Sequence, residues 1–314
     1  MRCPPLHRTF AVACLAAAGA AQDVLAPPPV VAPAEARTDG AAAYADLLQE
    51  VEAWQRAHPR LVQRVDIGTS VQGRPLFVLR IGTPDDGSPE VYLGAGIHGR
   101  ERTDLDLRYM VGELLAKQDE PEVRELLRTR VLWVQPMVNP DGLVALGRTN
   151  AHGVDLNRNF GVRWQPRTRK DPERHPGPSA FSEPETCAVR DFLRSRPRLR
   201  AYLDLHRSVR MLIPAQSGDD GKVEDAVEDA ARTLDAAAGD HSQANARLPH
   251  FPSMHGLSID WVWGELGVFA FTMENRDAAP ITAAGDGRWL ALRHLLERAG
   301  EYPERRQPDG PTDK

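Results

Sequence analysis

The chain has 314 residues, with 39 Lys and Arg against 44 Asp and Glu, for a net charge of −5 at pH 7. Hydrophobic residues make up 41% and charged residues 26%, a balance that excludes disordered, collagenous and polytopic membrane chains. The acidic excess argues against a general nucleic-acid binder, whose surface carries a basic surplus.

From the N-terminus, Arg2, His7 and Arg8 precede a short apolar run, Thr9–Ala20, in which Ala18 and Ala20 offer a small-residue cleavage site. This is the pattern of an export signal over residues 1–21, and the run is too short to span a bilayer. Its removal leaves 37 basic against 44 acidic residues, a charge of −7, and one cysteine, Cys187. A lone cysteine forms no internal disulfide, so an exported chain of this kind relies on its core and any metal it binds. Cys187 lies in a helix-like stretch and reads as a small buried apolar residue. Residues 22–40, rich in Pro and Ala, read as an extended linker. One domain is expected over 41–300, then a disordered tail over 301–314, charged and broken by proline.

Within the domain, Tyr44, Leu47, Leu48, Val51 and Trp54 recur at helical spacing over 41–58, and Pro59 stops the pattern. LVQRVDIG and RPLFVLRIG alternate around a turn and read as a hairpin. EVYLGAGI and RVLWVQPMVN are apolar enough for buried strands, with a helix over 104–117 between them. Ser182-Glu183-Pro184-Glu185 reads as a capping box with proline in the first turn of a helix. RAYLDLH follows as a strand, 222–238 as an Ala-rich helix, GVFAFTME as a strand and 288–299 as a closing helix. Helices between strands imply an α/β fold, a single domain whose mixed, mostly parallel central sheet is flanked by helices. Sites in such sheets gather at the carboxyl ends of strands.

Gly94-Ala95-Gly96-Ile97-His98-Gly99 matches G-x-G-x-x-G after a strand, a pattern that binds dinucleotide pyrophosphates. Arg100-Glu101-Arg102 then stands where a close-packed helix would have to begin, which weakens that reading. The same residues contain His98-x-x-Glu101, an imidazole and a carboxylate spaced to share a cation. His206, at the end of RAYLDLH, is a third candidate ligand, and Asp155 is suited to bond the far nitrogen of a ligating histidine. Two His and one carboxylate with an open fourth position is the pattern of a catalytic zinc. Glu274 places a charge at the end of an otherwise apolar strand, a position more often functional than structural.

With these residues in view, the chain resembles a zinc carboxypeptidase of the carboxypeptidase A type. The resemblance rests on GIHGRE (96–101), NPDG (139–142), GVDLNRNF (153–160), SEPET (182–186), LH (205–206), GLSIDW (256–261) and FTMENRD (271–277), in family order. The short spacing from NPDG to GVDLNRNF is closer to the small bacterial branch, which includes murein-peptide amidases. The resemblance implies one zinc per chain on His98, Glu101 and His206, with Glu274 as general base. It also implies Arg148 as the oxyanion donor and Asn157 with Arg158 as the clamp on a terminal carboxylate. Ile259 matches the position that carries aspartate in enzymes cutting basic C-terminal residues, and an apolar side chain there offers a buried cation no countercharge.

Two departures stand out. The tyrosine that closes over substrate in the family falls at Pro252, which has no hydroxyl; His255, on the same loop, reads as a plain loop histidine with partial replacement as the alternative. Arg207 and Arg210 follow the third ligand, where they either attract an acidic substrate or face solvent. The expectation is an exported zinc metallocarboxypeptidase, periplasmic or secreted, acting as a monomer on peptides or muropeptides with a free carboxylate. It would act without nucleic-acid partners or a membrane span, and the stretch between signal and domain is too short for an inhibitory pro-domain. Cleavage of a γ-glutamyl link, as by a murein peptide amidase, and a non-catalytic peptide-binding role remain the alternatives.

Overall fold

The computed structural model describes residues 39–166, 172–207, 210–216, 254–275 and 287–302. The signal over 1–21, nearly all of the linker, the 222–238 helix, Pro252 and most of the tail lie outside the described residues. A seven-stranded sheet runs through the domain in the order β1-β2-β4-β3-β5-β7-β6. Its strands are β1 (Val62–Thr69), β2 (Pro75–Ile81), β3 (Glu90–Ala95), β4 (Val131–Gln135), β5 (Leu199–His206), β6 (Arg210–Pro214) and β7 (Phe269–Asn275). The four central strands, β4, β3, β5 and β7, are mutually parallel. Antiparallel pairing of β1 with β2, β2 with β4, and β6 with β7 builds the two edges. The sheet is therefore mixed with a parallel centre, as the alternation of elements predicts.

The helices are α1 (Gly40–Ala57), α2 (Asp104–Ala116), α3 (Pro121–Thr129), α4 (Pro140–Val144), α5 (Pro184–Arg194), α6 (Ser258–Trp261) and α7 (Gly287–Glu297). Asp39 starts α1 by accepting from the backbone N–H groups of Ala41 and Ala42 at 2.9 and 3.2 Å, the usual work of an N-cap aspartate. Its buried stripe, Ala43, Tyr44, Leu47, Val51 and Trp54, joins the core. The central strands are buried on both faces, and Tyr92 and Tyr202 stack across β3 and β5 with ring centroids 5.0 Å apart. Among the described residues no helix is long and apolar enough to cross a membrane.

Local signals fail at one expected cap. The N-cap of α5 is Glu183, whose own side chain makes no capping bond, and its N–H donates to Asn159 Oδ1 at 3.3 Å. Glu185 instead accepts from the Val71 N–H at 3.1 Å and from Asn150 at 3.1 Å, while the Ser182 hydroxyl donates to Glu183 at 2.6 Å. Buried donors from distant loops thus take the carboxylate that a capping box would have used. Proline at the first position of α5 stands as expected. α3 and β6, which local pattern does not announce, complete the fold, and Cys187 is buried.

Candidate metal centre and active site

The site lies at the carboxyl ends of the parallel strands, where open α/β sheets place ligands. β3 ends at Ala95, and the chain turns through His98 into a 3-10 turn, Gly99–Glu101. Two glycines make this turn feasible. Gly96 has φ +69, and a Cβ on Gly99 would stand 2.1 Å from the Leu143 nitrogen. Within the G-x-G-x-x-G match Gly96 therefore serves a left-handed turn and Gly99 close backbone packing, and a one-turn 3-10 segment replaces the helix a pyrophosphate needs.

His98 Nδ1 lies 2.9 Å from Glu101 Oε1, and His206 Nδ1 lies 3.2 Å from Glu101 Oε2. One ligand atom from each of His98, Glu101 and His206 falls within 4.8 Å of the others, so the three can hold a metal ion. The far nitrogens point away from this cluster to buried carboxylates. His98 Nε2 meets Asp155 Oδ1 at 3.0 Å, and His206 Nε2 meets Asp204 Oδ2 at 3.0 Å. An Nε2–H that donates to a carboxylate leaves the Nδ1 lone pair for a cation and fixes the ring. Two imidazole nitrogens and a carboxylate oxygen, each oriented from behind, fit zinc chemistry.

The electrostatics agree. Burial alone would lower the His206 imidazole, but Asp204 and Glu101 outweigh it and raise it well above the ordinary value. Burial alone would raise Glu101, yet His206 and His98 hold it far below the usual carboxylate range. Asp155 behaves likewise, with His98, Arg158 and Arg148 overcoming its burial. Positive charge is thus strongly favoured between Glu101 and the rings, and a divalent cation there competes with protons.

The other expected residues surround this cluster. In the β5–β7 register His206 stands opposite Glu274, so the two project side by side from neighbouring strand ends. Arg148 binds Asp155 Oδ2 through Nε at 3.1 Å and Nη2 at 2.9 Å, and its Nη1 lies 3.5 Å from Glu101. Asn157 Oδ1 accepts from the Ser258 N–H at 2.9 Å, while its Nδ2 lies 3.2 Å from His206 Nε2 without bonding it, since that nitrogen donates to Asp204. Arg158 donates to the Asn157 carbonyl at 2.6 Å and lies 3.6 Å from Met254 Sδ. Ile259, on α6, is buried beside Asp260. Asp260 accepts from the Gln216 N–H at 2.8 Å and from Arg163 Nη1 at 3.3 Å. His255 is lowered by burial and then by Arg163 and Arg158, which favours a neutral ring.

Sequence reasoning passed over Asp204, whose carboxylate takes both His206 and the Ser258 hydroxyl, the latter at 3.0 Å. A signal was present, because the two-residue period of a strand puts Asp204 and His206 on one face. Arg207 was offered as solvent-facing or substrate-attracting and is neither. Its side chain is 10% exposed, and its Nη2 donates to Asp106 Oδ2 at 2.8 Å. The Arg210 side chain lies outside the described residues.

A family model described as zinc carboxypeptidase matches residues 47–286. The chain belongs to the zinc carboxypeptidase family. It is a metallocarboxypeptidase, and zinc is the metal its family implies. Carboxypeptidase A2 of Mus musculus is 27% identical over 293 residues, covering 82% of this chain and 70% of that protein. In fold, the domain superposes on the crystal structure of thrombin activatable fibrinolysis inhibitor with a TM-score of 0.70 at 24% identity, covering 82% and 73% of the two chains. The carboxypeptidase A from Helicoverpa armigera gives a TM-score of 0.63 at 25% identity, covering 82% of this chain and 69% of that one. The metallocarboxypeptidase fold thus brings together, at one sheet end, side chains spread from position 98 to position 274.

Proposed function

We propose that this protein is an exported carboxypeptidase that hydrolyses the amide bond next to a free terminal carboxylate, using one zinc per chain. The observation that carries the site assignment is the convergence of His98, Glu101 and His206 with both far nitrogens on buried carboxylates, and Glu274 beside His206. In this reading His98, Glu101 and His206 hold the metal. When bound, zinc supplies a Lewis acid that makes water acidic near neutral pH and stabilises developing negative charge.

The remaining roles belong to the chain. Asp155 and Asp204 keep the two imidazoles in the tautomer that donates backward. Glu274 takes a proton from the attacking water and passes it to the leaving amine. Arg148, held beside the metal ligands by Asp155, donates to the carbonyl oxygen as it gains charge. Arg158 receives the terminal carboxylate; a planar guanidinium matches that group in two directions at once. Asn157 supports the clamp while its Oδ1 accepts from the Ser258 N–H. Ile259 lines the side-chain pocket with an apolar surface that disfavours basic terminal residues. Export rests on the basic start and apolar run of residues 1–21, and delivers the enzyme to the periplasm or beyond.

The test is metal analysis of the purified mature protein combined with a mass-spectrometric digest of peptides and muropeptides, with and without a zinc chelator. The expected result is about one zinc per chain and chelator-sensitive loss of one C-terminal residue. Zinc without cleavage of any substrate would overturn the catalytic reading.

A further inference from the structure

We propose that Arg207 is a positioning residue for the metal centre, working as a pair with Asp106 to hold Glu101 in its ligating orientation. This rests on the reading of His98, Glu101 and His206 as zinc ligands.

Arg207 is the first residue beyond β5, immediately after His206. Its backbone N–H donates to Glu101 Oε2 at 3.1 Å, so one oxygen of Glu101 is set by this N–H while the other faces His98. The direction of that N–H depends on the backbone just past the last ladder pair of β5, His206 with Glu274. Among the described residues the β5–β7 register does not extend past that pair. The side chain supplies the constraint. Arg207 Nη2 reaches Asp106 Oδ2 at 2.8 Å, and both side chains are nearly buried, at 10% and 3% exposure. Asp106 lies in the first turn of α2, the helix that begins three residues after Glu101. The pair therefore ties the strand that carries His206 to the helix that follows Glu101, the two pieces of chain whose separation decides whether the ligands converge.

The energetics favour a positioning role over a stabilising one. A buried ion pair recovers little net stability after both groups lose their hydration, but it specifies one geometry. The aspartate also sits at a helix N-terminus, where the dipole favours its charge. A guanidinium engaged in this way is not presented to substrate, which separates this residue from Arg158.

The experiment measures zinc affinity of the full chain by competition with a chromophoric chelator, together with the visible spectrum of the cobalt-substituted protein. Arg207→Met and Asp106→Asn are each expected to weaken zinc binding by about 10- to 100-fold, the range for outer partners of metal ligands. The double variant should lose no more than the worse single, because both remove one interaction. Arg207→Lys should recover part of the loss, since an ammonium still reaches the carboxylate as a point charge. The cobalt spectrum should shift in Arg207→Met, which a merely stabilising residue would not cause. Zinc affinity within about twofold of the parent in folded Arg207→Met, or losses that add in full in the double variant, would overturn the proposal. If Arg207→Met does not fold, Asp106→Asn and Arg207→Lys decide on the same criteria. Retention of zinc by His98→Ala would instead sink the ligand reading, a separate failure from unchanged affinity at Arg207.

Discussion

The metal-ligand cluster and the proposed pocket wall, linked by Arg158 through its interactions with Asp155 and Asp260, treat buried charge in opposite ways. On the metal face every buried charge meets its complement: Glu101 and Asp155 are held low, and His206 is held high, by close partners that overcome burial. On the pocket wall burial wins. Asp260 is raised to about 6, with the Gln216 N–H and Arg163 unable to offset its desolvation, and Arg158 is lowered by its own burial despite Asp155 and Asp260. The first region is prepared for a cation before it arrives. In the second, a buried guanidinium is left undercompensated, the condition in which a carboxylate from outside lowers the free energy most.

The largest test of this contrast is at Glu274. Glu274→Gln should keep its zinc and lose about 10²- to 10⁴-fold in kcat; full turnover in that variant would remove Glu274 from the role of base. Arg148→Ala comes next, with a fall of about 10²- to 10³-fold in kcat and zinc retained. Steady-state kinetics showing a change in KM alone would move Arg148 from oxyanion donor to simple binding.

On the pocket wall the expected signature is stability against pH. Because the native fold raises Asp260 to about 6, the folded protein holds this proton more tightly than the unfolded chain. That contribution is present in full below the unfolded value, near pH 4, and is lost as pH rises through about 6, up to roughly 3 kcal/mol. Denaturation curves between about pH 4.5 and 7.5 should therefore fall less steeply for Asp260→Asn than for the parent. Equal slopes would show that Asp260 holds its proton alike in the folded and unfolded chain, its burial fully offset. The smallest effect is expected at Asp204. Asp204→Asn should weaken zinc by about 10- to 100-fold by freeing the His206 ring, and unchanged affinity would remove Asp204 from that orienting role.

How far the site was legible depended on the distance between partners along the chain. His98 and Glu101 stand three apart, and their company of short segments in order made them visible. Asp155 was readable because a buried carboxylate behind a ligating histidine is a recurrent need. Asp204 was equally readable from strand periodicity and was missed. By contrast, Glu185 reads locally as a cap, yet Val71 and Asn150, far away in sequence, claim it. Arg207 could be placed on solvent or substrate with equal reason until Asp106 was brought against it.

The amino-acid sequence was enough for the alternation of helices and strands apart from α3 and β6, for the mixed parallel sheet, the family and the chemical types of the site residues, because periodicity and short motifs are local properties of the chain. Only the tertiary structure decided which nitrogen of each histidine faces Glu101, which carboxylate stands behind it, and how Asn157, Ser258, Asp106 and Arg207 are engaged. Those choices are made when strand ends and loops from distant parts of the chain are packed together. A buried polar group then bonds to whichever partner the fold brings within reach, because leaving it unsatisfied costs more than the bond is worth.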